Sequence, residues 1–284
     1  MLTEAHVEKT VAAALEEDAP WGDLTGETLV PADARASAVL VAREGGVLAG
    51  ARVAESAFRQ VDPATTVHLV LRDGDLLEPG TVVATVEGRA RAVLRAERVA
   101  LNFAQRMSGI ATQTRAYVDA VAGTGVRIVD TRKTTPGLRA FERYAVACGG
   151  GHNHRFSLSD AVMAKDNHLA VLGDDPEQIT AALRVARERL PHTVHLEVEV
   201  DRLDQIDAVL AAGVDTIMLD NFSLEDLRTG VATIAGRALV EASGGITLPG
   251  IREVALTGVD LISVGALTHS VRALDLGLDV EVAS

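Results

Sequence analysis

Cysteine is almost missing from this chain: Cys148 stands alone in 284 residues, so no disulfide can close within it. Long apolar runs are missing too. None approaches the roughly 18 unbroken residues a membrane helix needs, and the polar opening MLTEAHVEKT contains no apolar signal core. A cytosolic protein that does not enter a membrane is expected. Positive charge is scarce: the formal net charge is −13, which argues against a nucleic-acid footprint. Lysine is the rarest cation, with Lys9, Lys133 and Lys165 the only three, leaving 24 of the 27 basic side chains to arginine. Internal repeats, low-complexity linkers and long charge runs are also absent.

What is present suits a soluble enzyme. A chain of this length that is 48% hydrophobic can bury a large core in one or two domains. Residues 1 to about 30 read as a helix, HVEKTVAAALEEDA, closed by Pro20 and Gly22 and followed by the turn-rich WGDLTGETLVP. From about 36 to 96 the apolar period is two, in ASAVLVARE, TTVHLVLRDGD and TVVATVEGRA, with glycine turns between. That pattern predicts hairpins and an antiparallel α+β sandwich domain. A helix or helix pair marked by Ser108-Gly109 then leads onward. We place the N-terminal domain at 1–108, joined by a returning tail at 269–284, and the second domain at 109–268.

In the second domain, apolar runs of strand length stop abruptly at charged or small polar groups. The runs are VRIVDTRK, AVMAKDN, HLEVEV, DTIMLDN and ALVEASGG, with a weaker sixth in DLISVGALTH. Segments with helical spacing, such as PEQITAALRVARERL and SLEDLRTGVATIA, lie between them. Strand, loop, helix, strand is the order of a parallel β/α barrel, whose strand C-termini open on one face and form one pocket. Six stops within about 160 residues make an incomplete barrel, since a full one runs to roughly 200 residues or more.

The stops carry the chemistry. DTRKTTPGLR (130–139) and CGGGHNHR (148–155) bring Arg132, Lys133, Arg139, His154 and Arg155 to one barrel mouth. Two of the three lysines sit at strand ends. A generic basic loop is the plain alternative, but so many cations in an acidic protein repel one another unless an anion binds among them. Glu199 and Asp220 close two later strands, where carboxylates can ligate Mg²⁺ and leave its other positions to water and phosphate; they can equally pair with nearby cations. Glu197 shares the face of Glu199 by strand alternation, and Glu199 is favoured because it lies nearer the C-terminal end. Ser243-Gly244-Gly245 and Gly265 are glycine turns after late strands, the usual place of a barrel's phosphate site. His269 fits a capping role and a ligand contact equally. His6, His68, His192 and His195 read as surface or structural.

Taken together, DTRKTTPGLR, GGGHNHR, KDNH, EVEV, LDNF, ASGGI and VGALTHS closely resemble, in order and spacing, the quinolinate phosphoribosyltransferase family. The resemblance runs from GDLT at 22–25 through ERVALN at 97–102 to the C-terminus. It implies conversion of quinolinate and 5-phosphoribosyl-1-pyrophosphate into nicotinate mononucleotide, pyrophosphate and CO₂, with Mg²⁺. It further implies that Arg98, Arg132, His154, Arg155 and Lys165 face the two carboxylates of the acid, with Lys133 between acid and sugar phosphate and Thr131 also binding substrate. Glu199 and Asp220 would hold the ribose and the metal-pyrophosphate; Ser243, Gly244, Gly245 and Gly265 would hold the 5′-phosphate, with Val264, Ala266 and His269 also binding substrate. A homodimer with shared active sites, or a hexamer, is implied, in which the partner supplies Arg98.

Three rival readings are weaker. A nicotinate-using sister enzyme needs fewer cations than lie between Arg132 and Lys165. A Schiff-base aldolase would use Lys133 or Lys165, yet their arginine-rich surroundings fit an anion site equally well. A biotinyl or lipoyl carrier, suggested by DGDLLEPGTVVATVEG, fails because no lysine occurs between Lys9 and Lys133.

Overall fold

The computed structural model describes residues 2–172 and 175–283. Its contacts divide the chain into two compact units. One comprises Met1–Arg115, Thr134–Gly150 and Leu267–Ser284; the other comprises Ala116–Lys133 and Gly151–Ala266.

The first unit opens with α1 (Glu4–Asp18), capped by the Thr3 hydroxyl, and α2 (Leu24–Leu29), capped by the Asp23 carboxylate accepting from Gly26 N. The second helix occupies a stretch that reads as turn, because an Asp cap satisfies backbone donors that a six-residue helix otherwise leaves open. There follow β1 (Arg35–Ala42), β2 (Gly46–Val47), α3 (Ala51–Val61), β3 (Thr66–Leu69), β4 (Leu76–Leu77) and β5 (Val82–Arg89). The expected hairpins are not sequential. β1 pairs antiparallel with β5 and β5 with β3, whereas β2 pairs with β4 in a separate small ladder. Helix α3 takes the place of one expected turn: Val53, Ala54, Ala57 and Phe58 are buried at helical spacing. Burying Phe58 and Val53 contributes roughly 1.5–3 kcal/mol each. The tail returns as β12 (Leu276–Ala283), antiparallel along the whole of β1, and completes a four-stranded sheet of order β12-β1-β5-β3.

One 31-residue helix, α4 (Ala90–Ala120), runs without a break through Ser108-Gly109, so the expected boundary near 108 falls inside a helix. Gly109 serves close packing instead: a Cβ there would lie 2.2 Å from the Arg272 carbonyl oxygen. In the same unit, Glu142 of α5 (Arg139–Cys148) is 1% exposed. It accepts from Arg106 Nη2 at 2.9 Å and from Thr135 N and Oγ1 at 3.1 and 2.8 Å.

The second unit contains all six expected strands: β6 (Arg127–Val129), β7 (Val162–Ala164), β8 (Leu196–Val200), β9 (Thr216–Asp220), β10 (Leu239–Ser243) and β11 (Leu261–Ser263). Helices α6 (Asp166–Leu172), α7 (Pro176–Arg189), α8 (Ile206–Ala211), α9 (Leu224–Ile234) and α10 (Ile251–Ala255) lie between them in sequence, and α11 (Ala266–His269) follows. The sheet order is β6-β11-β10-β9-β8-β7, parallel at each pairing. Val129 of β6 also forms a parallel bridge to His152, which belongs to none of these strands. Every residue of β8 is buried, as expected of parallel strands covered on both faces. This is the incomplete β/α barrel read from the strand stops.

Candidate active site

Parallel register stacks the inward side chains in layers. Glu197 lies opposite Thr216; Glu199 lies opposite Met218, and Met218 opposite Glu241; Asp220 lies opposite Ser243. A cavity of about 370 Å³ opens over the upper two layers. Of the residues expected from sequence, Thr131, Arg132, Lys133, His154, Arg155, Lys165, Glu199, Asp220 and Ser243 line it. Glu199 therefore reaches the cavity and Glu197, one layer deeper, does not.

Lys165 Nζ pairs with Glu199 Oε2 at 2.5 Å. Lys133 is exposed, and its backbone N–H donates to Thr131 Oγ1 at 3.1 Å. The Arg155 guanidinium donates to the Ala161 carbonyl at 3.1 Å. Burial and then the charge of Arg132 hold Arg155 below the ordinary guanidinium range. Cations crowded in this way in a partly desolvated cavity favour an anion among them.

Beneath the cations lie carboxylates to which sequence reasoning gave no role in the site. Asp130, fully buried, accepts from His154 N and from Asn153 Nδ2, both at 2.7 Å, and so pins the glycine-rich loop to the end of β6. His154 Nε2 lies 2.9 Å from Glu197 Oε2 and 3.6 Å from Glu241 Oε2, while its Nδ1 accepts from Arg155 N at 2.7 Å. Burial lowers the affinity of His154 for a proton, but the hydrogen bond to Glu197 and the charges of Glu197, Glu241 and Asp130 outweigh it and raise its pKa. With Nδ1 accepting from Arg155 N, the neutral ring carries its proton on Nε2, directed at Glu197. Burial and the neighbouring Glu197 push Glu241 up to about 8. The only available signal for these acids was their place on inward strand positions, which Glu197 shared with Glu199.

Two groups could hold a cation. His154, Glu197 and Glu241 bring ligand atoms within 4.8 Å of one another. The buried Oε1 atoms of Glu197 and Glu241 have no hydrogen-bond partner among the described residues. Glu199 and Asp220 offer hard oxygen donors at the cavity itself, the type Mg²⁺ takes alongside water and phosphate.

The remaining expected residues lie elsewhere. Gly244 and Gly245, at φ +92° and +61°, line an adjoining cavity of about 350 Å³ with Phe222 and Ser223. Val264 is buried and its N–H donates to Val129 O at 3.0 Å; Gly265 and Ala266 follow it. Arg98, exposed on α4, and His269, whose Nδ1 lies 2.7 Å from Ser270 Oγ, belong to the first unit. Met163, Met218, Glu241 and Ser263 complete the cavity wall and were not singled out from sequence.

Comparison with known proteins gives this arrangement a family. Residues 23–108 match the N-terminal domain and residues 110–279 the C-terminal domain of quinolinate phosphoribosyl transferase. The chain is 46% identical over 277 residues to the nicotinate-nucleotide pyrophosphorylase [carboxylating] of Mycobacterium leprae, spanning 95% of this chain and 96% of that protein. It is 43% identical over 268 residues to the probable enzyme of that name from Bacillus subtilis, spanning 94% and 91%. The crystal structure of NadC from Streptococcus pyogenes superposes with a TM-score of 0.94 at 42% identity, covering 100% of this chain and 99% of that one. Human nicotinic acid phosphoribosyltransferase, at TM-score 0.61 and 14% identity, shares the fold alone. With both domain models matched in order and cations and carboxylates sharing one cavity, the chain belongs to the quinolinate phosphoribosyl transferase family.

Proposed function

We infer that this cavity transfers phosphoribose from 5-phosphoribosyl-1-pyrophosphate to quinolinate, releasing pyrophosphate and CO₂ and leaving nicotinate mononucleotide. The observation that carries the reading is the convergence of Arg132, Lys133, Arg155 and Lys165 with Glu199 and Asp220 on one cavity. A dicarboxylate answers the cations, and a ribose with a metal-bound pyrophosphate would answer the carboxylates.

In this reading the arginines and Lys165 orient the two carboxylates so that the pyridine nitrogen faces the anomeric carbon. Lys133 lies between acid and sugar phosphate. Glu199 and Asp220 face the oxocarbenium-like carbon that forms as pyrophosphate departs, and their charge stabilises it. Both would also hold Mg²⁺, which when bound neutralises the leaving pyrophosphate. After attack the ring nitrogen is cationic and the adjacent 2-carboxylate leaves as CO₂; the electron pair left on C2 is stabilised by that cation and takes up a proton from water, while cations on the other carboxylate keep the ring in place. The 5′-phosphate would lie on the turns at Ser243 to Gly245 and at Gly265. No protein nucleophile is required. Schiff-base chemistry is disfavoured by the geometry: Lys165 is tied to Glu199 and Lys133 is exposed, neither in the apolar setting that frees an amine.

We further infer a homodimer with shared active sites, with a hexamer built from such dimers as the alternative. The exposed Arg98 supports it, as do Trp21 and Leu24, 93% and 78% exposed, apolar surface of the kind a partner covers. The lone cysteine fits a cytosolic setting.

The test measures nicotinate mononucleotide and CO₂ with quinolinate or nicotinate as acceptor, with and without chelator. Quinolinate turns over and nicotinate does so poorly, because cations left facing no carboxylate lose solvation without compensation; EDTA abolishes activity and Mg²⁺ restores it. Comparable kcat/KM for the two acids, or full activity in metal-free buffer, overturns the corresponding assignment.

A further inference from the structure

Asn221 follows Asp220 directly and stands at φ +57°, one of two non-glycine residues at positive φ among those described. Side chains rarely adopt this region, and Asn is among the few that tolerate it. Asn221 is exposed, so core packing does not impose the conformation. Specific contacts do. Its N–H donates to Ser243 O at 2.9 Å, extending the β9–β10 pairing by one step. Its Nδ2 donates to Asp220 Oδ2 at 2.6 Å; since a carboxylate only accepts, the orientation of the amide is fixed. Its Oδ1 then faces Gly244, where a Cβ would lie only 2.2 Å from Oδ1 and 2.8 Å from Asn221 N.

One side chain therefore touches both the carboxylate that ends β9 and the glycine turn that follows β10. That bond goes to Oδ2, and among the described residues no hydrogen bond is made to Asp220 Oδ1. We propose that Asn221 is a positioning residue for the sugar diphosphate: it holds Asp220 with one oxygen free and locks the Ser243–Gly245 turn against it. The pyrophosphate end and the 5′-phosphate end of one substrate are then set at a fixed separation. The residue choice follows from the two demands. Glycine accepts the backbone angle but has no amide, aspartate accepts it but places a second anion beside Asp220, and only asparagine supplies the angle and the donor together.

The inference rests on the proposed reaction, so wild-type turnover of quinolinate is measured first. Asn221→Gly keeps the backbone angle and deletes only the amide; Asn221→Asp keeps the shape and deletes the donor. Both should melt near wild type without ligand. Each should lose about 10–100-fold in kcat/KM for phosphoribosyl pyrophosphate, the Asp variant more, with KM for quinolinate unchanged. Calorimetry should show weaker binding of phosphoribosyl pyrophosphate with Mg²⁺. Gly244→Ala should cost less in the Asn221→Gly background than in wild type, because the clash with Oδ1 is gone. Unchanged binding and kcat/KM in the Gly variant overturns the proposal. So does an equal rise of both KM values with a lowered melting temperature, which is the mark of general structural damage. If the wild type does not turn over quinolinate, the reaction reading itself fails and the inference falls with it.

Discussion

Glu241 shows how burial decides a residue's charge. It is 1% exposed, with Glu197 close by in the same dry floor. Ionising both acids there costs more than His154 returns, and the pKa of Glu241 rises from its ordinary 4.5 to about 8. A folded-state pKa above the unfolded one means that the native chain holds a proton the unfolded chain has released. The stabilising contribution is full below about 4.5 and is lost as pH rises toward 8. Glu241→Gln keeps the neutral shape and removes this dependence. The melting-temperature gap, variant minus wild type, should therefore widen in the variant's favour between pH 5 and pH 8. A gap that stays flat across that window would show Glu241 ionised throughout. Sequence alone could not assign this role, since a Glu within an apolar run reads alike whether it faces water, a cation or another acid. Asp220 and Lys165 were legible because they end their strands.

At the scale of elements, composition and packing compete at Gly109. Replacing a mid-helix glycine by alanine ordinarily stabilises by about 1 kcal/mol. Here the added Cβ would lie 2.2 Å from the Arg272 carbonyl oxygen and 3.2 Å from Ala273 Cα, where only backbone can give way. Overpacking of that kind costs typically 1–3 kcal/mol and occasionally more, so the clash wins. Gly109→Ala should lower the denaturation midpoint, and a raised midpoint would show that the tail moves aside freely. The same residue decides between the one helix and the helix pair that the sequence left open: this glycine admits a passing chain and does not break the helix. Ser108 beside it is likewise engaged, exchanging hydrogen bonds with the backbone of Ala49 at 3.0 and 3.1 Å. The six barrel strands were legible because each is a short apolar run with a polar stop. Partner choice in the first unit was not, because β1 finds β5 and β12 across long stretches of chain, and period two states only that a strand exists.

At the scale of the whole molecule, the assembly remains to be tested, and Arg98 is the residue that tests it. It is exposed on α4, within the ERVALN segment that resembles the family, and the proposed dimer assigns it to the neighbouring subunit's cavity. Lys133 lines the cavity of its own chain. Arg98→Ala and Lys133→Ala should each be nearly inactive, since each removes a charge that bound substrate would bury against an anion, and truncating one partner of such a contact costs on the order of 2–5 kcal/mol. Co-refolding the two variants gives mixed dimers in which one cavity carries both substitutions and the other carries neither. Random pairing makes about half the dimers mixed, each with one good site of two, so activity should recover toward about a quarter of wild type. Mass measurement must confirm that mixed dimers formed. If they have and activity stays absent, Arg98 acts within its own subunit or not at the site, and the shared-site dimer is wrong even though the reaction assignment stands.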